Sequence, residues 1–267
     1  MPFAAGVTVL MGEIVALGGL PSGREAFLGF VCAFLLSASA LILNDVFDLE
    51  VDRVNAPERP IPSGAVSPRE AIGLAVPVTL GGLAAALAIS PATLVFGIFI
   101  WVVGFLYNWK FKRSGLPGNL MVATSVASCF ILGGMAVGFT SNLLWFMALG
   151  AFLVDLGEEI AGDAMDMEGD KLLGSRSLAI RFGRRAALRV SAGIFALLFL
   201  LSPIPYLQGW MGLEYLLAII VANAALVYFT FKLLRSRDSK EGVFAMRGIY
   251  FGFLAGMLVY ISGHFLL

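Results

Sequence analysis

The sequence predicts an all-α, polytopic membrane protein built as a bundle of nine transmembrane helices. Of its 267 residues, 59% are hydrophobic and only 13% are charged, whereas soluble globular domains are about 25% charged. Long apolar stretches alternate with short charged segments, which is the pattern of membrane-spanning helices. The connections are too short to form a separate soluble domain, so residues 1–267 are expected to form a single domain.

Nine apolar stretches have the length of a membrane span, which takes about 20 residues. Each is expected to be helical, because a segment that crosses lipid must satisfy its own backbone hydrogen bonds. The ten-residue alternation of a transmembrane barrel is absent from the sequence. The predicted spans are residues 3–20, 27–44, 69–89, 91–109, 119–139, 142–162, 187–207, 213–231 and 245–266.

The cationic residues predict the orientation of this bundle. Seventeen of the eighteen Lys and Arg residues follow even-numbered spans, and only Arg24 lies on the other side. Cytoplasmic connections are enriched in Lys and Arg, so we expect the N-terminus in the cytoplasm and the C-terminus outside. Eighteen acidic residues balance the eighteen basic ones, and this neutral charge gives no indication of nucleic acid as a partner.

A few polar or reactive residues lie inside the predicted spans. Glu13 is either a functional acid, because carboxylates at membrane depth are costly, or a carboxylate hydrogen-bonded within the bundle. Cys32 and Cys129 lie singly in apolar stretches and are interpreted as packing residues. His264, the only histidine, lies at the outer end of the last span and is expected to have no catalytic role.

Eleven of the eighteen acidic residues lie in two short segments, at the cytoplasmic ends of the second and sixth spans. Three acids in each segment have the same spacing: Asp45, Asp48 and Asp52 in the first, and Asp163, Asp166 and Asp170 in the second. If each helix continues at about 100° per residue, each segment places one set of oxygen-bearing side chains on a single face. These sets are Asn44, Asp45, Asp48 and Asp52, and Glu159, Asp163, Asp166 and Asp170.

Two concentrated acidic faces predict a bound cation, because like charges repel and carboxylates are costly to dehydrate. Carboxylate and amide oxygens without nearby His or Cys suit Mg²⁺, which usually completes its shell with water and substrate phosphate. Two such faces could hold a diphosphate, with the Arg and Lys residues that follow each cluster binding the remaining phosphate oxygens. The alternative is that the acids are solvated helix ends paired with neighbouring cations.

Two cytoplasmic connections offer further cations. Arg59 begins the segment Arg59-Pro60-Ile61-Pro62-Ser63-Gly64, in which prolines favour extended backbone and Gly64 permits a turn. This segment either presents Arg59 to a phosphate or is a proline-rich connection with a solvated Arg. The connection that contains Tyr107, Lys110 and Lys112 is either part of the site or a basic membrane anchor with an interfacial tyrosine.

In combination, these motifs resemble the UbiA superfamily of intramembrane prenyltransferases. The resemblance covers essentially the whole chain, and the ordered set is more specific than any single motif. The matching segments are Asn44-Asp45-x-x-Asp48-x-x-x-Asp52, Arg59-Pro60-Ile61-Pro62-Ser63-Gly64, Tyr107 with Lys110 and Lys112 ahead of Gly118-Asn119, and Asp163-x-x-Asp166-x-x-Gly169-Asp170.

The resemblance implies Mg²⁺-dependent transfer of a long isoprenyl group from its diphosphate to a lipid-soluble acceptor, at the cytoplasmic side of the membrane. The implied metal ligands are Asn44, Asp45, Asp48, Asp52, Glu159, Asp163, Asp166 and Asp170. The expected catalytic residues are Asp48, Asp52, Tyr107, Asp163 and Asp166, and the expected diphosphate-binding residues are Arg53, Arg59, Lys110, Lys112 and Lys171. No partner protein is needed on this hypothesis.

Within the superfamily, the motifs look most like those of the archaeal digeranylgeranylglyceryl phosphate synthases. That resemblance implies geranylgeranylglyceryl phosphate as the acceptor and the second ether bond of archaeal lipids as the product. Glu158 and Gly162 depart from the residues usual there, and the chain lacks the Arg-Pro-x-Asn start expected before the first helix. The alternatives are an aromatic acceptor, such as a quinone or chlorophyll-type precursor, a cation transporter that uses the acidic residues, and a structural lipid-binding scaffold.

Overall fold

The computed structural model describes the backbone of residues 1–266 and the side chains of residues 1–263, and this part of the chain contains helices and turns without any β-strand. The side chain of His264 therefore lies outside the described residues. The helices are α1 (Pro2–Leu17), α2 (Gly23–Phe47), α3 (Leu49–Asn55), α4 (Pro68–Ile89), α5 (Pro91–Leu106), a π-helix (Tyr107–Phe111), α6 (Leu116–Ala136), α7 (Asn142–Met165), α8 (Met167–Leu172), α9 (Leu178–Phe182), α10 (Arg184–Leu201), α11 (Ile204–Leu207), α12 (Leu213–Arg235) and α13 (Ser239–Leu266).

The all-α class predicted from sequence is confirmed. Each predicted span falls mainly on one helix, although the span 91–109 runs from α5 into the π-helix and the span 187–207 covers both α10 and α11. Within the described residues, seven helical segments are long and apolar enough to cross a membrane. The other two predicted spans are α1, which has only 16 residues, and α7, which carries several acidic residues in its second half.

Local sequence signals set several helix starts. Ser22 precedes α2 and Ser67 precedes α4, and each forms a capping box with a glutamate three residues later, Glu25 or Glu70. The serine side chain accepts from a free N–H of the first turn while the glutamate accepts from the serine N–H, so two otherwise unpaired donors are satisfied. Ser90 caps α5 in a similar way.

The described chain divides into two compact units, residues 1–112 with 124–148 and residues 113–123 with 149–267. Helices α6 and α7 each contribute residues to both units. The single domain expected from sequence stays a prediction.

The first unit packs around Val9, Cys32, Leu36, Ala86 and Leu132. Glycines allow its helices to approach closely, as small residues do in membrane bundles. A Cβ on Gly12 would lie 2.6 Å from the Phe130 carbonyl oxygen, and one on Gly133 would lie 2.4 Å from that of Val9.

Glu13 lies inside this first unit and is fully buried. Neither carboxyl oxygen has a hydrogen-bond partner among the described residues. One of them, Oε1, lies 2.0 Å from the position that a Cβ on Gly29 of α2 would take. The carboxyl group therefore packs directly against the backbone of α2, and the hydrogen-bonded alternative is not what the structure shows.

The second unit packs around large apolar side chains of α7, α10, α12 and α13, including Ile160, Leu188, Phe195, Leu226 and Leu233. Within this unit, α12 and α13 lie against each other, and four glycines of α13 face residues of α12. Ser191 of α10 donates a 2.6 Å hydrogen bond to the carbonyl of Gly157 in α7. This hydrogen bond joins α10 to the second half of α7, the half that carries the acidic residues.

Candidate functional site

The first acidic cluster lies at a break between two helices. Helix α2 ends at Phe47, α3 begins at Leu49, and Asp48 between them has φ −87° and ψ 0°. This sparsely allowed region of backbone space is where many active-site residues lie. The sequence predicts one continuous helix here, and that prediction is wrong at Asp48. The helical hydrogen bonds nevertheless continue through the break: the Asp48 N–H donates to the Asn44 carbonyl at 2.9 Å, and the Asp52 N–H donates to the Asp48 carbonyl at 2.8 Å.

Two cations bind the three carboxylates of this cluster. Lys112 forms an ion pair with Asp48. Arg59 donates a 2.7 Å hydrogen bond to Asp52 and lies 3.6 Å from Asp45. The side chain of Asp52 is only 10% exposed, so Arg59 compensates a nearly buried charge. The hydrogen bond to Asp52 and the charge of that carboxylate raise the pKa of the Arg59 guanidinium above its ordinary value.

A π-helical turn carries the chain from α5 to Lys112. The Lys112 N–H donates to the Tyr107 carbonyl at 2.8 Å, five residues back. Such a turn contains one residue more than an α-helical turn and is frequent at functional sites. Lys112 directly follows this turn, so the geometry of the π-helix sets where its ammonium meets Asp48.

Two asparagine amides complete the first cluster. The side-chain amides of Asn44 and Asn108 are joined by a 3.0 Å hydrogen bond, and Asn108 donates to the carbonyl of Ala40. The Asn44 amide also lies 3.0 Å from the Lys112 ammonium and 3.1 Å from the Asp48 carboxylate. Asn108 is not among the predicted site residues, because its position in the connection gives no sign that it reaches α2.

The structure does not bring every predicted phosphate-binding residue to this cluster. Arg53 pairs with Glu50 at 2.8 Å, and both side chains are largely exposed. Lys110 is exposed, and Tyr107 is half-buried within the π-helix. Among the described side chains of the first unit, the ion pairs with the predicted acidic ligands come from Arg59 and Lys112.

The second acidic cluster lies in the other unit and has the same local form. Helix α7 ends at Met165, α8 begins at Met167, and Asp166 between them has φ −97° and ψ 8°. The Asp166 N–H donates to the Gly162 carbonyl, and the Asp170 N–H donates to the Asp166 carbonyl, both at 2.9 Å. Asp48 and Asp166 are the middle acids of the two motifs, so both motifs break their helix at the matching residue.

Asn119 connects the start of α6 to this second cluster. The nearly buried Asn119 amide donates to Asp163 at 2.9 Å. Four residues earlier, Gly115 has φ +75°, and a Cβ there would lie 2.3 Å from the Arg176 carbonyl oxygen. The Arg176 N–H donates to the Arg113 carbonyl at 2.9 Å. Residues 113–115 therefore lie against the loop after α8, and Asn119, four residues after Gly115, contacts Asp163.

The remaining predicted residues of the second cluster differ in exposure. Glu159 is half-buried on α7, one turn before Asp163, whereas Asp166 and Lys171 are exposed and Asp170 is half-buried. No described Lys or Arg side chain lies within ion-pair distance of Asp163 or Asp166, and Lys171 makes no such contact either. Two cations thus compensate part of the negative charge of the first cluster, while Asp163 of the second accepts from an uncharged amide.

The donor chemistry of both clusters fits Mg²⁺, although it does not form an all-protein cage. Among the described residues, no group of three or more His, Cys, Asp or Glu side chains is arranged to hold a metal ion. Mg²⁺ usually takes one or two carboxylates and keeps its other positions for water and substrate phosphate. The available groups are carboxylate and amide oxygens, which are the ligands Mg²⁺ prefers. Each cluster therefore offers a partial set of suitable ligands.

Comparison with known proteins decides the family. Residues 5–257 match the model of the UbiA prenyltransferase family. The chain belongs to this family. The resemblance inferred from the two acidic motifs is thereby confirmed, and with it the membership of this chain among membrane prenyltransferases.

Relatives in the UbiA family resemble the chain over most of its length. The digeranylgeranylglyceryl phosphate synthase of Methanopyrus kandleri is 37% identical over 258 residues, which are 97% of this chain and 93% of that protein. The synthase of the same name from Thermococcus kodakarensis is 37% identical over 234 residues, 88% of this chain and 83% of that protein.

Solved structures show the same fold. A structure described as a digeranylgeranylglyceryl phosphate synthase in membranes superposes with a TM-score of 0.85 at 28% identity, covering 99% of this chain and 94% of the other. A UbiA homologue from Archaeoglobus fulgidus bound to DMAPP and Mg²⁺ gives a TM-score of 0.70 at 20% identity, covering 96% of each chain. These neighbours confirm the helical membrane fold predicted from sequence.

Proposed function

We propose that this protein transfers a geranylgeranyl group from its diphosphate to geranylgeranylglyceryl phosphate in a Mg²⁺-dependent reaction, forming the second ether bond of archaeal membrane lipids. The observation that carries the proposal is the similarity, at 37% identity over 97% of the chain, to a digeranylgeranylglyceryl phosphate synthase. The two acidic clusters support it, because a diphosphate leaving group needs charge neutralisation. The Archaeoglobus fulgidus homologue bound to DMAPP and Mg²⁺ supports the choice of metal.

The acidic clusters would hold the metal. In the first, Asn44, Asp48 and Asp52 offer oxygen ligands, with Asp45 beside them; in the second, the ligands would be Asp163, Asp166 and Asp170, with Glu159 one turn earlier. Bound Mg²⁺ would supply Lewis-acid stabilisation of the departing diphosphate. We propose that both clusters serve this one reaction.

The cations of the first cluster would bind the leaving group. Arg59 and Lys112 each hold a carboxylate of the cluster, and each has further N–H donors for phosphate oxygens. In the absence of substrate they keep the like-charged carboxylates compensated, and with diphosphate bound they would stabilise the negative charge that develops on it. Three further cations stay predicted as diphosphate-binding residues, namely Arg53, Lys110 and Lys171. Tyr107 stays predicted as a catalytic residue.

Aromatic side chains next to the first cluster suit the carbocation that diphosphate departure leaves. Phe47 directly precedes Asp48, and its ring packs edge-on against Phe105 at 5.8 Å. The rings of Trp101 and Trp109, four residues before and after Phe105, have their centroids 5.6 and 6.3 Å from that of Phe105. Aromatic faces attract cations, and an apolar surrounding protects an allylic cation from water. These rings would line the path of the isoprenyl chain.

The distribution of cations supports the cytoplasmic side as the location of the site. Both acidic clusters lie in connections that follow even-numbered spans, where seventeen of the eighteen Lys and Arg residues also lie. By the positive-inside rule, we propose that the N-terminus and the active site face the cytoplasm and that the C-terminus lies outside.

The test is a prenyl transfer assay with purified protein, Mg²⁺ and geranylgeranyl diphosphate. Geranylgeranylglyceryl phosphate and an aromatic acceptor, 4-hydroxybenzoate, are offered in parallel, and prenylated products are identified by mass spectrometry. We expect product from the glycerol phosphate acceptor. Product from 4-hydroxybenzoate alone would replace the proposed acceptor. Turnover of neither acceptor by folded protein with Mg²⁺ would contradict the proposal and favour other prenyl acceptors first and a cation transporter only after them.

Variants of the acidic clusters test their role in the same assay. Asp48→Asn and Asp166→Asn keep size and shape but remove the charge, and each is expected to lower turnover by at least about a hundredfold. Glu50→Gln and Glu168→Gln are matched controls, because each removes a neighbouring charge from a position two residues away. Equal losses in the controls and in the aspartate variants would show that local charge, and not ligand geometry, matters.

A further inference from the structure

The second acidic cluster follows directly from Met165, the last residue of α7, and this residue is held by contacts from α13. Met165 is buried, at 6% exposure. Its carbonyl accepts a 2.5 Å hydrogen bond from the hydroxyl of Ser239. The last carbonyls of a helix have no donor in a following turn, so Ser239 satisfies one of them where the helix breaks. The Met165 sulfur occupies the space beside Gly242, where a Cβ would lie 1.9 Å from it.

Arg184, the first residue of α10, binds the same group of residues from another side. Its guanidinium donates to the Ser236 carbonyl at 2.6 Å, to the Ser236 hydroxyl at 2.9 Å and to the Asp238 carbonyl at 2.8 Å. It also lies 3.5 Å from the Met165 sulfur. These four acceptors are uncharged, and the planar fork of donors can satisfy several of them at once. Arg184 therefore connects α10, the loop between α12 and α13, and the residue that precedes Asp166.

We propose that Arg184 and Ser239 are positioning residues for the second acidic cluster. They hold the backbone at the point where α7 breaks, and the break determines how Asp163 and Asp166 are presented to Mg²⁺. The inference rests on the proposed function of that cluster. Both residues act through Met165 and the adjoining loop, and neither needs to touch substrate or metal.

Hydrogen–deuterium exchange of the purified protein without Mg²⁺ tests the positioning directly. In Arg184→Gln and in Ser239→Ala, the amides of residues 163–173 are expected to exchange at least about tenfold faster, because lost hydrogen bonds raise the frequency of local opening. Arg185→Gln is the matched control, since it removes the same charge from the neighbouring residue. Arg184→Lys keeps the positive charge but loses the planar set of guanidinium donors. Its amides at residues 163–173 should therefore exchange more slowly than in Arg184→Gln but faster than in the unmodified protein.

A second measurement separates positioning from general stability. With Mg²⁺ titrated into the prenyl transfer assay, the concentration for half-maximal activity should rise about tenfold to a hundredfold in Arg184→Gln, as for other residues that support metal ligands. Turnover at saturating Mg²⁺ should fall much less.

Unchanged exchange at residues 163–173 in both Arg184→Gln and Ser239→Ala would refute the proposal, whether or not the protein has the proposed activity. Faster exchange with an unchanged Mg²⁺ requirement would also refute it, by limiting the two residues to a structural role. Because the exchange measurement needs no substrate, absence of prenyl transfer in the unmodified protein would contradict the proposed function alone.

Discussion

Replacing Gly115 by alanine should loosen the start of α6 from the loop after α8. Gly115 has φ +75°, a conformation that costs a residue with a side chain about 1–2 kcal/mol. The new Cβ would also lie 2.3 Å from the carbonyl oxygen of Arg176, where real contacts are almost never closer than 3.0 Å. The carbonyl belongs to the backbone, so a side-chain rotation cannot relieve the overlap.

The size of the effect follows from this overlap. Opening the contact from 2.3 to 3.0 Å means a shift of about 0.7 Å, which is enough to weaken or break the 2.9 Å hydrogen bond between Arg176 and Arg113. Such a bond is worth about 1 kcal/mol. Together with the backbone strain, Gly115→Ala should lower the free energy of unfolding by about 2–3 kcal/mol.

Gly209→Ala provides the matched control for this substitution. Gly209 has φ +68°, but a Cβ added to it would have no atom within 4 Å. It should therefore show the backbone strain alone, about 1–2 kcal/mol. Equilibrium unfolding in mixed micelles, followed by tryptophan fluorescence, measures both variants. Equal destabilisation of the two would refute the argument, because the contact with Arg176 would then contribute nothing.

Two further substitutions test contacts between helices. Gly29→Ala places a Cβ 2.0 Å from the Glu13 carboxyl oxygen and should lower the free energy of unfolding by about 1–3 kcal/mol. Adding Glu13→Ala should recover part of this loss. Strictly additive effects of the two substitutions in the double variant would contradict the contact. Ser191→Ala removes the 2.6 Å hydrogen bond to the Gly157 carbonyl and should cost about 1 kcal/mol in the same unfolding measurement, whereas unchanged stability would show that water or lipid replaces the bond.

The spans were predictable because lipid imposes a strict physical requirement. A helix must be long and apolar to cross the bilayer, and hydropathy reports this directly. Helix ends were less certain: α2 begins at Gly23 and not at residue 27, because the capping box of Ser22 and Glu25 sets its start. The capping signal is present in the sequence, although the apolar pattern alone does not show it.

The details of the candidate site were only partly predictable. The helices break at single residues, Asp48 and Asp166, and such a break changes neither the hydropathy of the segment nor the spacing of its acidic residues. The same is true of the π-helix, with its one extra residue per turn. Arg53 and Arg59 both lie near Asp52 in sequence, yet only Arg59 binds it, because the chain turns back after α3. Long-range partners such as Asn119 for Asp163 depend on tertiary packing, which a single sequence does not reveal.

The buried carboxyl group of Glu13 has a consequence for how the protein enters the bilayer during synthesis. Helix α1 has only 16 residues, and an acidic residue within an inserting helix opposes insertion, by at most about 2.5–3.5 kcal/mol when it lies at the helix centre. Only residues 18–22 separate α1 from α2, and Gly29 of α2 provides the surface against which the carboxyl packs. We therefore expect α1 and α2 to leave the translocation channel together as a helical hairpin, so that the acid is shielded before α1 meets lipid.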